Sequence, residues 1–229
     1  MITDGLSYPV SGDSAVSRIV VGSLLGLASL LVVPAFVLMG YLMRVLASAA
    51  RDESEPPAFD GWGAMLVTGL KGTLVTIVYG AVPIGLFLAY GVSGVLLSDA
   101  GAAGSSLLTG YGLVGGFGAL AVSALVYYLV PAALANVAVE GRAGAAFDLG
   151  RLTTVLTSGE YFLAWLVPFA LSVLLNVVTV VLFVTIFGIV FVPVLQFYFQ
   201  VAVFFMFGRA FGSVTGVVDA TPHSGRPTA

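Results

Sequence analysis

The chain has 229 residues, of which 59% are hydrophobic and only 8% charged, and its mean hydropathy is +1.11. A soluble domain carries about 25% charged residues to cover its surface, so a water-soluble globular protein is excluded and lipid must cover most of this one. A net charge of −3 and a pI near 4.9 argue against a nucleic-acid partner, and the absence of cysteine excludes disulfides, thiolate nucleophiles and cysteine metal ligands.

Residues 1–17 carry Asp4 and Asp13 and no basic side chain, and the apolar run that follows is 25 residues long. A cleaved signal opens basic and has a core of about 7–15 residues, so the first segment reads as a mature helix. Twelve of the 19 charged residues (8 basic plus 11 acidic) fall in two stretches, 44–71 and 140–160. Around them run four charge-free segments, 19–43, 72–98, 100–139 and 161–208, each long enough to cross a hydrocarbon core, which takes roughly 20 residues as a helix. Breakers and lengths predict an all-α, polytopic transmembrane helix bundle of five spans near 19–44, 72–97, 110–138, 161–184 and 190–208, or six if the first segment divides. Two short cytoplasmic interfacial helices are expected besides.

Asp99-Ala-Gly-Ala-Ala-Gly-Ser-Ser is the clearest turn, while only Gly188 and Pro193 interrupt the run from Val177 to Val194. In this threading Arg44, Arg51, Lys71, Arg142, Arg151, Arg209 and Arg226 share one side and Arg18 stands alone on the other. The positive-inside rule then places the loops and C-terminus in the cytoplasm of a cell-membrane, multi-pass protein, with the N-terminus outside. A second threading breaks the first segment at Pro34 into a re-entrant pair and returns the N-terminus to the cytoplasm.

Residues 1–212 read as one transmembrane domain, and 213–229 as a disordered cytoplasmic tail. Within the domain, Val33-Pro34-Ala35, Arg44 and Ala58-Phe59-Asp60 lead to a span holding Val82-Pro83. Val130-Pro131-Ala132, Arg142 and Ala146-Phe147-Asp148 lead to a span holding Val167-Pro168. Residues 19–97 and 110–184 thus read as a parallel pseudo-repeat about an axis along the membrane normal, followed by the final span 190–208. The alternative is that Val-Pro pairs and two Ala-Phe-Asp matches recur by chance in so valine-rich a chain.

The charged stretches each predict an amphipathic element. Asp60 is a plausible N-cap, after which Trp62, Met65, Leu66 and Leu70 share one helical face and Lys71 closes the segment. This suits a short helix in the headgroup region. In the second stretch Leu152, Val155 and Leu156 form an apolar stripe, and Tyr161 and Trp165 follow as an interfacial belt. The candidate cytoplasmic interface is therefore Phe59, Asp60, Trp62, Lys71, Phe147, Asp148 and Arg151, read either as a docking face or as membrane-surface anchors.

At these residues the chain resembles a known family. Gly40-Tyr41-x-x-Arg44, Pro57-x-Phe59-Asp60-x-Trp62, Gly69-Leu70-Lys71, Tyr79 and Pro83 look like the signature of the archaeal multi-pass family called domain of unknown function 4013. Phe147-Asp148, Tyr161, Ala164-Trp165, Gly188, Pro193, Phe197-Tyr198 and Gly208-Arg209 continue the likeness over most of residues 5–212. The resemblance implies an integral protein of the archaeal cell membrane and brings no activity, cofactor or catalytic residue.

Apart from Arg44 at the end of the first, no charged side chain falls within the expected spans, which argues against a proton-coupled mechanism. Asn176, Gln196 and Gln200 are the strongly polar groups of the 161–208 segment, and Gln196 and Gln200 sit one turn apart. They form a candidate polar path or, alternatively, bond across helices. His223 is the only histidine and lies in the tail, so a histidine triad or metal cluster has no basis. No cofactor or enzymatic activity is expected. Two functions stand: a non-catalytic scaffold, partner subunit or regulator at the inner membrane surface, or a carrier or channel for a small neutral or lipidic solute. The partners implied are membrane lipid and a protein partner or a second copy of the chain.

Overall fold

The computed structural model describes residues 2–102 and 106–217. Among the described residues eight α-helices carry the fold: α1 (Ile2–Ser7), α2 (Ala15–Ala28), α3 (Val32–Ala50), α4 (Trp62–Leu97), α5 (Ser106–Glu140), α6 (Leu149–Leu156), α7 (Gly159–Val184) and α8 (Ile186–Thr215). No strand occurs among the described residues. Five of the helices, α3, α4, α5, α7 and α8, are long and apolar enough to cross a membrane. The all-α bundle of about five spans is what the charge pattern predicts.

α3 lies at the centre of the bundle, buried from Val37 onward except at Met39 and Arg44, while Val32 and Val33 at its start stay exposed. Twelve of its 19 residues are buried. α4 packs on one side and α8 on another, both at backbone contact. A Cβ at Gly40 would collide with the Met65 carbonyl, and one at Gly69 with the Phe36 carbonyl. On the other side, a Cβ at Gly208 or Gly212 would strike the carbonyls of Leu46 or Ala50. Lipid chains are as apolar as leucine, so such helices associate through close packing of small residues rather than through a hydrophobic gain.

The first segment departs from its main expectation. It is not one crossing over 19–44 but two helices, α2 and α3, with the break at Ser29–Leu31 rather than at Pro34. Pro34 sits in the first turn of α3, where a missing N–H leaves nothing unpaired. The physical reason for the fold-back is Arg18. A single crossing would strand it opposite the other basic residues. Instead its buried guanidinium donates to the Pro56 carbonyl and the Ser14 hydroxyl, each at 3.1 Å, and to the Ser11 carbonyl. Tyr8 donates to the Glu55 carbonyl at 3.0 Å and Ser11 to that of Ser54 at 3.3 Å. The N-terminal residues therefore lie on the same face as the first charged stretch, as in the re-entrant threading.

A second correction concerns the interfacial helices. Residues 62–71 do not form a separate helix; α4 runs unbroken through Lys71 for 36 residues, about 54 Å at 1.5 Å per residue. Met65 is fully buried against α3 instead of facing headgroups. The second short helix does form, as α6, but its stripe packs into the protein: Leu152 and Val155 are buried in the core, and the chain breaks at Thr157-Ser158. The Ser158 hydroxyl then caps α7 by accepting from the Tyr161 N–H at 3.2 Å. Tyr161, expected in an interfacial belt, is fully buried in the core.

The far ends are plain. The buried residues of α4 lie at or before Val75 and those of α7 at or before Pro168, so the outer halves of both helices face lipid. The α4–α5 turn uses Gly101 at φ 85°; residues 103–105 of the expected turn lie outside the described residues. α7 and α8 are joined through Thr185, which is extended and whose hydroxyl accepts from the Gly188 N–H at 3.1 Å. Position 188 is glycine because a Cβ there would meet the Leu182 carbonyl. The expected tail from 213 begins as helix, since α8 continues to Thr215 and ends on left-handed Gly216 at φ 69°. Residues 218–229, with His223 and Arg226, lie outside the described residues.

Each stretch of the expected pseudo-repeat contains a helix, a charged segment and a further helix. Trp62–Leu97 spans 36 residues as one helix, and α6 with α7 spans the 36 residues of Leu149–Val184 as two.

Two measurements check this architecture. Gly69→Ala should destabilise the protein by about 3 kcal/mol, the upper range for overpacking, read as a lowered unfolding temperature in detergent. Gly26→Ala, whose Cβ has open space, should leave it unchanged. Because the chain has no cysteine, Asp13→Cys and Ser54→Cys should react with an impermeant maleimide from the same side of sealed vesicles, and Ser98→Cys from the opposite side.

Candidate functional site

Four separate parts of the chain build the charged face: residues 4–18, the segment 51–61, the segment 140–158 and the end of α8. Their side chains are mostly committed to one another. Arg44 donates to both the carboxylate and the carbonyl of Asp60 at 2.8 Å. This seats the loop so that Phe59 stacks on Tyr41 at 3.9 Å between centroids and lies 6.2 Å from the Trp62 ring. Lys71 donates to the Gly141 carbonyl at 2.8 Å, joining the first charged stretch to the second. Tyr79 donates to the Ala146 carbonyl at 2.6 Å, and its ring stacks on Phe147 at 5.5 Å. Asp148 caps α6 by accepting from the Arg151 N–H at 3.2 Å. The Arg151 guanidinium pairs with Glu140 at 2.6 Å and lies 5.4 Å over the Phe211 ring. Arg209 pairs with Asp52, and Ser213 donates to Glu160.

The seven candidate interface residues thus belong to one surface but do not converge on one pocket. Phe59, Asp60 and Trp62 form one cluster. Phe147, Asp148 and Arg151 lie around α6, with Lys71 as the bridge. The two Ala-Phe-Asp tripeptides do different work. In the first, the aspartate holds an arginine; in the second, it caps a helix. Trp62, Phe147 and Leu149 stay about half or more exposed, at 48%, 51% and 70%, and give the face an apolar rim.

The residues of this face that the candidate interface leaves out are Tyr8, Arg18, Tyr41 and Tyr79. Arg18 is 4% exposed, and its Nε has no partner among the described residues. Burial pushes the Tyr8 phenol well above its ordinary range, so it remains a neutral donor. The sequence signals for this group are Arg18, the lone basic residue on the wrong side of a five-span threading, and the place of Tyr41 and Tyr79 in the family signature.

The candidate polar path resolves differently. Gln196 and Gln200 line a cleft of about 280 Å³ between α8 and the α2–α3 turn, with Gly26, Ser29, Leu38 and Phe197. Asn176 does not join them. It is exposed on α7 and donates to the Ser172 carbonyl of its own helix at 2.8 Å. No group of three or more histidine, cysteine, aspartate or glutamate side chains able to hold a metal ion occurs among the described residues.

A chain whose described residues are helical and strand-free, with five apolar helices long enough to cross a membrane, is a polytopic integral membrane protein. The family model described as "Protein of unknown function (DUF4013)" matches residues 27–184, more than half of the chain, and the protein belongs to that family. The matched region takes in α3 to α7, hence both charged segments. No curated protein matches the chain, and no solved structure does.

Removing the ties separates their roles. Arg18→Leu should cost about 3 kcal/mol, since it removes charged hydrogen bonds to buried acceptors, and should speed amide exchange over residues 51–57. Asp60→Ala should cost at most about 1 kcal/mol, because an exposed ion pair contributes little and the Asp60 side chain is 78% exposed.

Proposed function

We propose that this protein is a non-catalytic subunit or scaffold of the cell membrane, which presents its charged face to the cytoplasm for a protein partner. The observation that carries this reading is the pairing across the face. Bonds from Arg18, Arg44, Lys71, Tyr79, Arg151 and Arg209 tie the four chain segments into one fixed surface. The exposed Trp62 and Phe147 at its rim are aromatic residues of the kind enriched in protein contacts. A preformed surface loses little conformational entropy on docking.

Orientation follows from the basic residues. With Arg18 folded back, Arg18, Arg44, Arg51, Lys71, Arg142, Arg151 and Arg209 all lie on the charged face, which favours the cytoplasm for that face and for both termini. The pseudo-repeat belongs to the same proposal. A duplicated helix–segment–helix unit accounts for the two 36-residue stretches, one of which has broken into α6 and α7 to lay an extra helix on the face.

Crosslinking in native membranes, followed by purification in mild detergent and in nanodiscs, tests the reading. The expected result is a discrete complex that is lost from the Trp62→Ala, Phe147→Ala double variant while its unfolding temperature is kept. Recovery as a lone monomer in every detergent and nanodisc would overturn it.

A further inference from the structure

The cleft between α8 and the α2–α3 turn holds none of the ion pairs of the charged face and meets that face only through Phe197. Gln200 lies nine residues and Gln196 thirteen residues before Arg209 on the continuous α8, about 13 Å and 20 Å from the face at 1.5 Å per residue. Both amides are therefore at the depth of hydrocarbon, where an unpaired polar group costs several kcal/mol. Yet neither is satisfied. Gln200 has no hydrogen-bond partner among the described residues, and Gln196 reaches only the Thr179 hydroxyl, at 3.4 Å, beyond the ordinary range of such bonds. Both side chains are half-buried and line the same opening.

The rest of the lining is apolar or small. A Cβ at Gly26 would meet no atom within 4 Å, and Leu27 beside it is 58% exposed, so the cleft opens sideways to lipid. Phe197 forms a buried wall. No charged residue lines the cleft, so an ionised ligand would find no counter-charge there. Each amide supplies donors and an acceptor with no net charge.

We propose that this cleft binds the head of a neutral membrane amphiphile, an alcohol or hydroxyl-bearing lipid, which exchanges hydrogen bonds with Gln196 and Gln200 while its chain runs out past Leu27 into the bilayer. At about 280 Å³ the cleft is at the small end of ligand sites, which suits a compact head with the first few carbons of a chain. The site is independent of the partner-subunit reading and stands or falls without it.

Photolabelling of the full chain in nanodiscs tests the site. The probe is a long-chain primary alcohol with a diazirine near its hydroxyl end. The expected result is labelling within residues 26–29 and 192–200, competed by the unlabelled alcohol but not by the alkane of equal length. Gln196→Leu with Gln200→Leu should cut labelling at least fivefold with the unfolding temperature kept or raised, because the only bond lost within the described residues is the long one from Gln196 to Thr179. Gly26→Phe, which fills the cleft, should abolish labelling as well. Equal labelling by an alkane diazirine would show only a lipid-filled gap and overturn the proposal. So would full labelling of the double leucine variant, or a fall in its unfolding temperature that marks the glutamines as structural.

Discussion

Everything else in this fold hangs on the contact of the α3 backbone with α4 on one side and α8 on the other. Within a bilayer, burying more leucine gains little, because the alternative to a neighbouring helix is an equally apolar lipid chain. What holds the helices is the number of atoms that reach contact distance, and that rises steeply once two backbones touch. Glycines 40 and 69, and 208 and 212, are where they touch. α3 thereby becomes a buried post around which the α2 turn, the α4–α5 pair and the α7–α8 pair are set. The outer halves of α4 and α7 contribute little to this core and face lipid.

The charged face is a second layer built on that post. Its salt bridges are weak singly, since Asp60 and Arg142 are largely exposed. The stronger ties are hydrogen bonds to backbone carbonyls: Arg18 to Pro56, Lys71 to Gly141, Tyr79 to Ala146. These fix loop carbonyls that have no helical partner, and they do so between segments far apart in sequence. The face is accordingly a tertiary object. Phe197 touches both layers, since it lines the lipid-facing cleft and lies 5.8 Å from Tyr41 and 6.2 Å from Phe59 beneath the Arg44–Asp60 pair.

Membrane residence, helical class, the number of long apolar helices and the location of the charged segments were all legible in the chain alone. Each follows from a one-dimensional rule: about 20 apolar residues cross a hydrocarbon core, and charge stays out of it. The α6 stripe was legible for the same kind of reason, because Leu152, Val155 and Leu156 share a face by helical periodicity. The signature around Gly40, Arg44, Asp60 and Trp62 likewise pointed to the family that the match over residues 27–184 establishes.

Pairing was not legible. The fold-back at Ser29–Leu31 depends on whether a buried Arg18 finds carbonyl acceptors on residues near 56, and no local pattern encodes a partner 38 positions away. The unbroken α4 could not be separated from an interfacial helix plus a span, since nothing in residues 62–71 says which of them will be covered by α3. Gln196, Gln200 and Asn176 looked alike as polar groups in an apolar run, and only the placement of α2 beside α8 put the first two into a cleft and left the third outside it. The sequence by itself determined which residues enter the membrane, because transfer into lipid is settled residue by residue. The tertiary structure alone decided which of them meet, because contact depends on two segments at once.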